Sequence, residues 1–512
     1  MNMTGRRIGT PVLQRGCDSD HHGLQGKKGW PPLRLVVLAL LLLSGASCTV
    51  GPNYVRPPAP VPQAYKEMEG WKMAEPKDRL LRGNWWALFN DPQLTALEEQ
   101  VNISNQNIAQ AEAQFNQARA AVMVARAAYF PTASIGPSWQ RGYQTTPQQG
   151  TQTLSLWSLP VDVSWQPDLF GRVRRSVESS RASAQSAAAE VENVSLTMCA
   201  EVAEDYFQLC ALDAQKQLLD ETVKNYAKSL ELTKNKYASG VASRGDVLQA
   251  ETQLKTTQAQ EIDVGVQRAQ LEHAIAVLLG KPASDFSIPF SPLAAEPPPI
   301  PVSVPSQLLE RRPDVAAAER QMAAANAQIG VAMAAFYPTV TLSASGGFQT
   351  LDLAKWLDWS SRFWEIGTAI SETIFEGGLR KAQTEEARAA YHATVASYRQ
   401  TVLTGFQQVE DNLSSLRILE QEAAAQREAV KAAQDSLVVV TNQYRSGIVA
   451  YTDVIVAQTT ELTNERTALS IEGQRMTAAV LLIEALGGGW DASALPTNDQ
   501  LAGNGPKEKD SP

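Results

Sequence analysis

Ala127-Ala128-Tyr129-Phe130-Pro131-Thr132 returns 207 residues later as Ala334-Ala335-Phe336-Tyr337-Pro338-Thr339. At the same offset Tyr237, Ser239, Gly240, Asp246 and Val247 return as Tyr444, Ser446, Gly447, Asp453 and Val454, and Leu279-Gly280 returns as Leu486-Gly487. Separate matches with one shift mark a duplicated structural unit, read as residues 91–285 and 305–490. Two copies are too few for a solenoid. The linker between them, 286–304, carries Pro289, Pro292, Pro297, Pro298, Pro299 and Pro301, and reads as extended.

Proline placement outlines the elements inside each unit, because a proline in a helix interior costs about 3 kcal/mol. None occurs between Pro167 and Pro282 or between Pro338 and Pro496. Gly171–Lys236 and Gly378–Tyr444 are rich in Ala, Gln, Glu, Arg and Leu and read as continuous helices. At 1.5 Å per residue each is about 100 Å long, far beyond a globular domain. Val191, Val194, Met198, Val202, Tyr206, Leu209 and Leu212 advance by three or four and form a coiled-coil seam.

Between the helices the period falls to two. Ile135, Trp139 and Tyr143 alternate with polar residues in 133–144, and Trp157, Leu159, Val161, Val163 and Trp165 alternate with Ser158, Asp162 and Ser164. The second copy places Val340, Leu342, Ala344 and Phe348 on one face, then Trp364, Ile366, Ile370 and Ile374 on one face of 363–375. Strands are expected at about 132–167 and 339–375, with hairpin loops at about 145–154 and 350–362. Such aromatic-bearing segments have the length of tilted transmembrane strands, although alternation alone describes a soluble hairpin equally well. Four strands cannot close a barrel, and open strand edges are not tolerated in lipid, so two, three or four copies would be needed.

The start of the chain favours the membrane reading. Lys27, Lys28 and Arg34 precede the apolar run Leu35–Leu43, small residues Ser44–Ser47 and then Cys48. That order is a secretory signal over 1–47, too short to span a bilayer, and a cysteine after the small residues resembles a lipoprotein signal with Cys48 as the acylated residue. Without 1–47 the chain keeps 39 basic and 52 acidic residues, a net charge of −13. No basic tract suits a nucleic acid. Cys199 and Cys210, eleven residues apart in a helix, are too far apart for a disulfide and read as buried apolar groups. His273 and His392, the histidines left after the leader, stand near no nucleophile or second ligand. No catalytic constellation, metal site or cofactor is expected.

Several motifs in order then carry a family resemblance across roughly 48–490. They are Cys48-Thr49-Val50-Gly51-Pro52-Asn53-Tyr54, Trp85-Trp86-Ala87-Leu88-Phe89-Asn90-Asp91-Pro92, Arg311-Arg312-Pro313-Asp314, Ala325-Asn326-Ala327-Gln328-Ile329-Gly330 and Ala485-Leu486-Gly487-Gly488-Gly489-Trp490. The chain resembles the TolC-like outer membrane factors, most of all the lipoprotein branch serving resistance-nodulation-division efflux pumps. The resemblance implies a mainly α fold with a transmembrane β-barrel portion: a homotrimer with a 12-stranded outer-membrane barrel over a periplasmic coiled-coil helical barrel. It also implies a periplasmic adaptor and an inner-membrane pump as partners, with no chemistry in the channel itself. Residues 48–90 would be an N-terminal anchor and equatorial segment, and 491–512 a disordered tail.

The turns far from the membrane, Tyr237–Asp246 and Tyr444–Asp453, each put a glycine after a long helix and an aspartate at the next helix start. Helix capping explains both residues fully. In the family the corresponding turns form the aperture and dock the adaptor, which nominates Gly240, Val241, Ser243, Arg244, Asp246, Gly447, Ile448, Thr452, Asp453 and Val456. Many members carry an aspartate before the second Ala-Gln, where this chain has Val456 before Ala457-Gln458. Asp453, Thr452 or Val456 would then supply the constriction. A type I protein-secretion channel and a periplasmic coiled-coil structural protein remain the alternatives.

Overall fold

The computed structural model describes residues 49–62, 64–67, 84–146, 150–293, 296–300 and 310–501. The leader and Cys48 lie outside them. The principal elements are α1 (Pro92–Ser104), α2 (Gln106–Ala127), β1 (Thr132–Ile135), β2 (Ser138–Thr146), β3 (Gly150–Trp165), α3 (Arg172–Ala238) and α4 (Arg244–Leu278). The second half gives α5 (Pro313–Ala334), β4 (Thr339–Thr350), β5 (Arg362–Ser371), α6 (Leu379–Arg445), α7 (Tyr451–Ala485) and the short α8 (Asn498–Leu501). The helices of the two halves match in length: α2 and α5 have 22 residues, α3 and α6 have 67, and α4 and α7 have 35, every boundary displaced by 207. The duplication therefore governs the backbone and not only scattered motifs.

β1 and β2 both pair antiparallel with β3, so they fill one strand position, interrupted at Gly136-Pro137 where proline has no N–H to donate. β3 pairs with β4 and β4 with β5, giving four positions in a meander across both repeats. Two boundaries differ from those read in the sequence. The first hairpin is tighter than 145–154, because pairing continues to Thr146 opposite Gly150. The ladder bonds backbone to backbone, so polar Thr and Gln residues extend it as well as apolar ones. The last strand stops at Ser371 instead of 375, leaving Ile374 and Phe375 exposed on the way into α6. Among the described residues no helix is long and apolar enough to cross a membrane.

Beyond the sheet, the main core lies around the middle of α3 and α6, and the resemblance motifs converge there. Trp85, Trp86 and Phe89 are buried with Tyr206, Phe207, Leu279 and Leu486. Asp91 caps α1 through Gln93 N–H (2.8 Å) and Leu94 N–H (3.1 Å), and its other oxygen accepts from the Tyr206 hydroxyl at 2.7 Å. Buried Arg312 donates to both oxygens of Asp314, to Gln408 and to the Ala485 carbonyl at the end of α7 (3.0 Å), tying the start of α5 to the exit of α7. The linker is clasped where Arg268 donates to buried Asp213 (2.7 Å) and to the Ile288 carbonyl (2.8 Å) and Ser291 N–H donates to Asp213 (2.9 Å), and it is held further by Ile288 N–H to Glu272 (3.1 Å) and Leu293 N–H to the Cys210 carbonyl (3.0 Å). Cys199 and Cys210 are free and buried, and His273 and His392 are exposed. The expected disordered tail is ordered at least to Leu501, which is buried with Val122 and Ala184. An apolar side chain with a seat on two helices is enough to order its short segment.

Glu98 on α1 is fully buried beside the Cys199 thiol, and burial pushes its carboxyl up to about 8 against the smaller opposing effect of that thiol. The folded chain thus holds a proton that the unfolded chain has released. Stability should fall as pH rises from about 4.5 to about 8, by up to about 1.4 kcal/mol per pH unit. Glu98→Gln is expected to flatten that slope and to be the more stable protein at pH 9, measured as unfolding midpoints across pH.

Candidate functional site

The register sorts the sheet into two chemically distinct faces. Trp139 lies opposite Trp157, Ile135 opposite Val161, Leu159 opposite Phe348, and Trp364 and Ile366 opposite Gly346 and Ala344. These residues share a face with Val163, Trp165, Leu342 and Ile370, and the Trp139 and Trp157 rings stack at 5.6 Å. The other face carries Ser134, Ser138, Gln140, Ser158, Asp162, Ser164, Thr341, Ser343, Ser345, Gln349 and Glu365. Trp364, Ile366 and Ile370 are each more than 70% exposed, so among the described residues nothing covers this part of the apolar face. Apolar outside and polar inside is the pattern of a water-lined barrel in lipid.

At the junction of sheet and helices, the N-terminal segment is strapped across three helices. Val50 N–H donates to the Phe170 carbonyl (3.2 Å), and Arg175 donates to the carbonyls of Val50 and Gly51 and to Asn53. Asn326 donates to the Pro52 carbonyl, Tyr54 to Glu319 (2.6 Å), and Arg56 to the Tyr398 hydroxyl. Gly51 has φ +98°, and a Cβ there would lie 2.5 Å from the Gly330 Cα, so the strap passes only with glycine at 51, while a Cβ on Gly330 would lie 2.8 Å from the Arg175 side chain that holds the strap. This accounts for Asn326 and Gly330 in their motif. Thr49 packs on Gly171, one residue before α3 begins.

At the opposite end of α3 and α6 the two turns have nearly the same backbone. Gly240 (φ +75°) and Gly447 (φ +76°) take the left-handed conformation. Val241 and Ile448 N–H groups bond back to the Lys236 and Gln443 carbonyls, both at 2.9 Å, which closes each helix end. Ser243 and Asp246 form a reciprocal capping box, Oγ to N 3.1 Å and Oδ2 to N 2.9 Å. In the second turn Ala450 has no hydroxyl, so only the Asp453 half survives, its Oδ2 accepting Ala450 N–H at 3.1 Å.

The side chains of the two turns part company. Tyr444 is 8% exposed and Tyr451 2%, packed with Tyr226, Leu230, Ala250 and Leu254 of the first repeat, whereas Tyr237, the counterpart of Tyr444, is 48% exposed. Lys236 lies over the Tyr444 ring at 4.0 Å and donates to the Tyr444 carbonyl at 3.1 Å. Tyr226 donates to the Gln458 carbonyl (3.1 Å), and the Tyr451 and Ser229 hydroxyls meet at 3.1 Å. Of the nominated residues, Gly240, Val241, Ser243, Arg244, Gly447, Ile448, Thr452, Asp453 and Val456 are exposed at this end and Asp246 is half-buried; Thr452 reaches Gln249 at 3.5 Å. Cys48 lies outside the described residues. The residues that join the two turns, Lys236, Tyr226, Tyr444 and Tyr451, were not nominated. Tyr451 has Arg244 as its counterpart, so matching the repeats hides it.

Three features now stand together: a two-faced sheet with open edges, helices about 100 Å long, and a closely capped tip. The sequence matches the outer membrane efflux protein family over residues 97–281 and again over 304–488. The chain belongs to that family. The "Probable efflux pump outer membrane protein TtgC" of Pseudomonas putida KT2440 is 31% identical over 484 residues, covering 93% of this chain and 99% of the relative. "Nodulation protein T" of Rhizobium leguminosarum bv. trifolii is 30% identical over 463 residues, covering 89% and 97%. Among solved structures, the outer-membrane channel OprN superposes with TM-score 0.80 at 29% identity, covering 86% of this chain and all of that one. The open-state MtrE outer membrane channel of Neisseria gonorrhoeae gives 0.76 at 26%, covering 87% and 99%. This efflux protein is a passive outer-membrane channel and not an enzyme.

Removing the second-turn aromatic should loosen this end selectively. Tyr451→Ala is expected to cost roughly 3 kcal/mol of local packing. Amide exchange should accelerate at 226–232 and 444–454 with no change in the strands. Unaltered exchange there would deny the cluster its role.

Proposed function

We propose that three copies of the efflux protein close their sheets into one 12-stranded barrel in the outer membrane. Their long helices would continue the barrel as a periplasmic tunnel, a passive exit duct for small molecules. The observation that carries this reading is the pairing of a largely uncovered apolar face with a polar one across a sheet whose two edges, β1/β2 and β5, have no partner strand among the described residues. Lipid tolerates neither open edges nor a polar outer face, and three copies of four strand positions make a ring wide enough to hold water.

In this reading Cys48 is acylated. Its neighbour Thr49 sits at the sheet–helix junction, where an acyl chain would enter the leaflet that the barrel crosses. The tips, with exposed Gly240, Val241, Ser243, Arg244, Gly447 and Ile448, dock a periplasmic adaptor and through it an inner-membrane resistance-nodulation-division pump. That pump supplies the energy. The aperture is set by Thr452, Asp453 and Val456 in threefold repetition. The carboxylate of Asp453 is already committed to its own helix start, so it lends the ring charge without being free to swing.

Deleting the gene should raise intracellular accumulation of dyes, antibiotics or toxic metals, with recovery on complementation. Cys48→Ala should lose acyl label and restore efflux less well. Unchanged accumulation together with loss of a secreted protein from the medium would instead mark a type I secretion channel. For the aperture, substitutions at Thr452, Asp453 and Val456 should alter single-channel conductance in planar bilayers; no change at any of the three would place the constriction elsewhere.

A further inference from the structure

Near the point where α3 leaves the sheet, a cavity of about 410 Å³ opens beside α3 and α5, with Tyr54, Tyr129, Arg174, Arg181, Arg320 and Asn498 in its wall. Arg174, Glu178, Arg181 and Gln185 form one stripe along α3, since steps of three and four stay on one helix face. Two of the three arginines are neutralised: Arg174 pairs with Asp168 at 3.3 Å, and Arg320 pairs with Glu319, which also accepts the Tyr54 hydroxyl. Arg181 is not. It is half-buried, and its Nε is shielded from solvent with no hydrogen-bond partner among the described residues. The carboxylate one turn before it, Glu178, is taken by Arg175 at 2.8 Å.

The second repeat shows the same pair undisturbed. Displaced by 207, Arg181 is Arg388 and Glu178 is Glu385, and these two form an ordinary exposed ion pair at 3.1 Å. Arg175 corresponds to Ala382, so that competitor is absent. In the first repeat the strap engages Arg175 through the Val50 and Gly51 carbonyls and Asn53, Arg175 takes Glu178, and Arg181 is left facing the cavity without an anion. Shielding a guanidinium from water without a counter-charge is costly, and its planar fork fits a phosphate group through two parallel hydrogen bonds.

We propose that this cavity holds the phosphate headgroup of an anionic phospholipid in the periplasmic leaflet of the outer membrane, with Arg181 as its principal ligand; this goes beyond the channel reading and rests on its placement of the sheet in lipid. Arg320 adds positive charge from α5, and the Tyr129 hydroxyl and the Asn498 amide add donors from α2's end and α8. A free phosphate ester shares that chemistry. Continuity with apolar surface favours the lipid: Tyr129 is followed by Phe130, 67% exposed, and then by β1, whose Ile135 is 65% exposed on the apolar face. Acyl chains joined to a headgroup beside Tyr129 can lie against those side chains, so one molecule satisfies the arginine and covers bare apolar surface together.

Native mass spectrometry of the full-length protein in detergent, titrated with phosphatidylglycerol or with phosphatidylcholine, tests this. The wild type should bind phosphatidylglycerol at least about ten-fold more tightly than phosphatidylcholine, and Arg181→Gln should lose at least about five-fold of that preference. Arg388→Gln, which removes the same charge from the second repeat, should leave it unchanged. If Arg181→Gln assembles poorly on unboiled gels, Tyr129→Phe removes only a hydroxyl and should still weaken phosphatidylglycerol binding by about two- to three-fold. Equal binding by wild type and both first-repeat variants, or an equal loss in Arg388→Gln, would overturn the site. Displacement of the lipid by glycerol phosphate or inorganic phosphate at equal concentration would overturn the lipid assignment and leave a site for soluble phosphate esters. A wild type that inserts into phospholipid vesicles but shows no headgroup preference would overturn this proposal alone, whereas one that does not insert at all would overturn the membrane reading beneath it.

Discussion

Everything in this protein answers to the unpaired backbone of two strand edges. In water an open edge is a hazard; in hydrocarbon each unbonded N–H and C=O costs several kcal/mol, so a four-position sheet has no existence there alone. Alternation sends most apolar side chains to one face and most hydroxyls, amides and carboxylates to the other, with Thr368 and Phe363 among the exceptions. The same sheet must therefore meet lipid on one side and water on the other. The proposed closure into a ring would satisfy edges and faces together, and the helices leaving the strands would inherit the circular arrangement.

Duplication makes that ring economical in sequence. One helix–strand–strand–helix–helix unit, written twice with equal helix lengths, supplies two similar sectors. The sectors are not equivalent where it matters. At the tip the second turn buries two tyrosines in the first repeat, and the first turn leaves Tyr237 and Arg244 bare. Around the middle of the long helices the differences serve attachment: Arg312 anchors α5 to α7, while its first-repeat counterpart is Asn105, which caps α2 and donates to the Leu278 carbonyl. Two different side chains thus perform one task, joining the start of a 22-residue helix to the end of a 35-residue one.

Much was legible beforehand. The long helices were read to within two residues of their ends, because proline-free runs of strong helix formers leave the backbone few alternatives. Strand faces were read correctly from period-two alternation, and the family from motifs in order. Strand ends were less legible: ladder bonds continue past the apolar stretch at Thr146 and stop before Ile374. The tail departs from the expectation over 491–501, where Leu501 is buried with Val122 and Ala184.

The sequence by itself determined the repeat, the conformation of each element and the chemistry of each sheet face, since these depend on neighbours two to four residues away. Tertiary structure decided which nominated residues matter to which others. Nothing local says that Tyr451 seats in the first repeat while Arg244 points outward, that Gly51 lies against the backbone of Gly330, or that Asp213 holds the linker through Arg268. Those partners lie tens to hundreds of residues apart. They meet only because rigid helices of fixed length carry them to the same height.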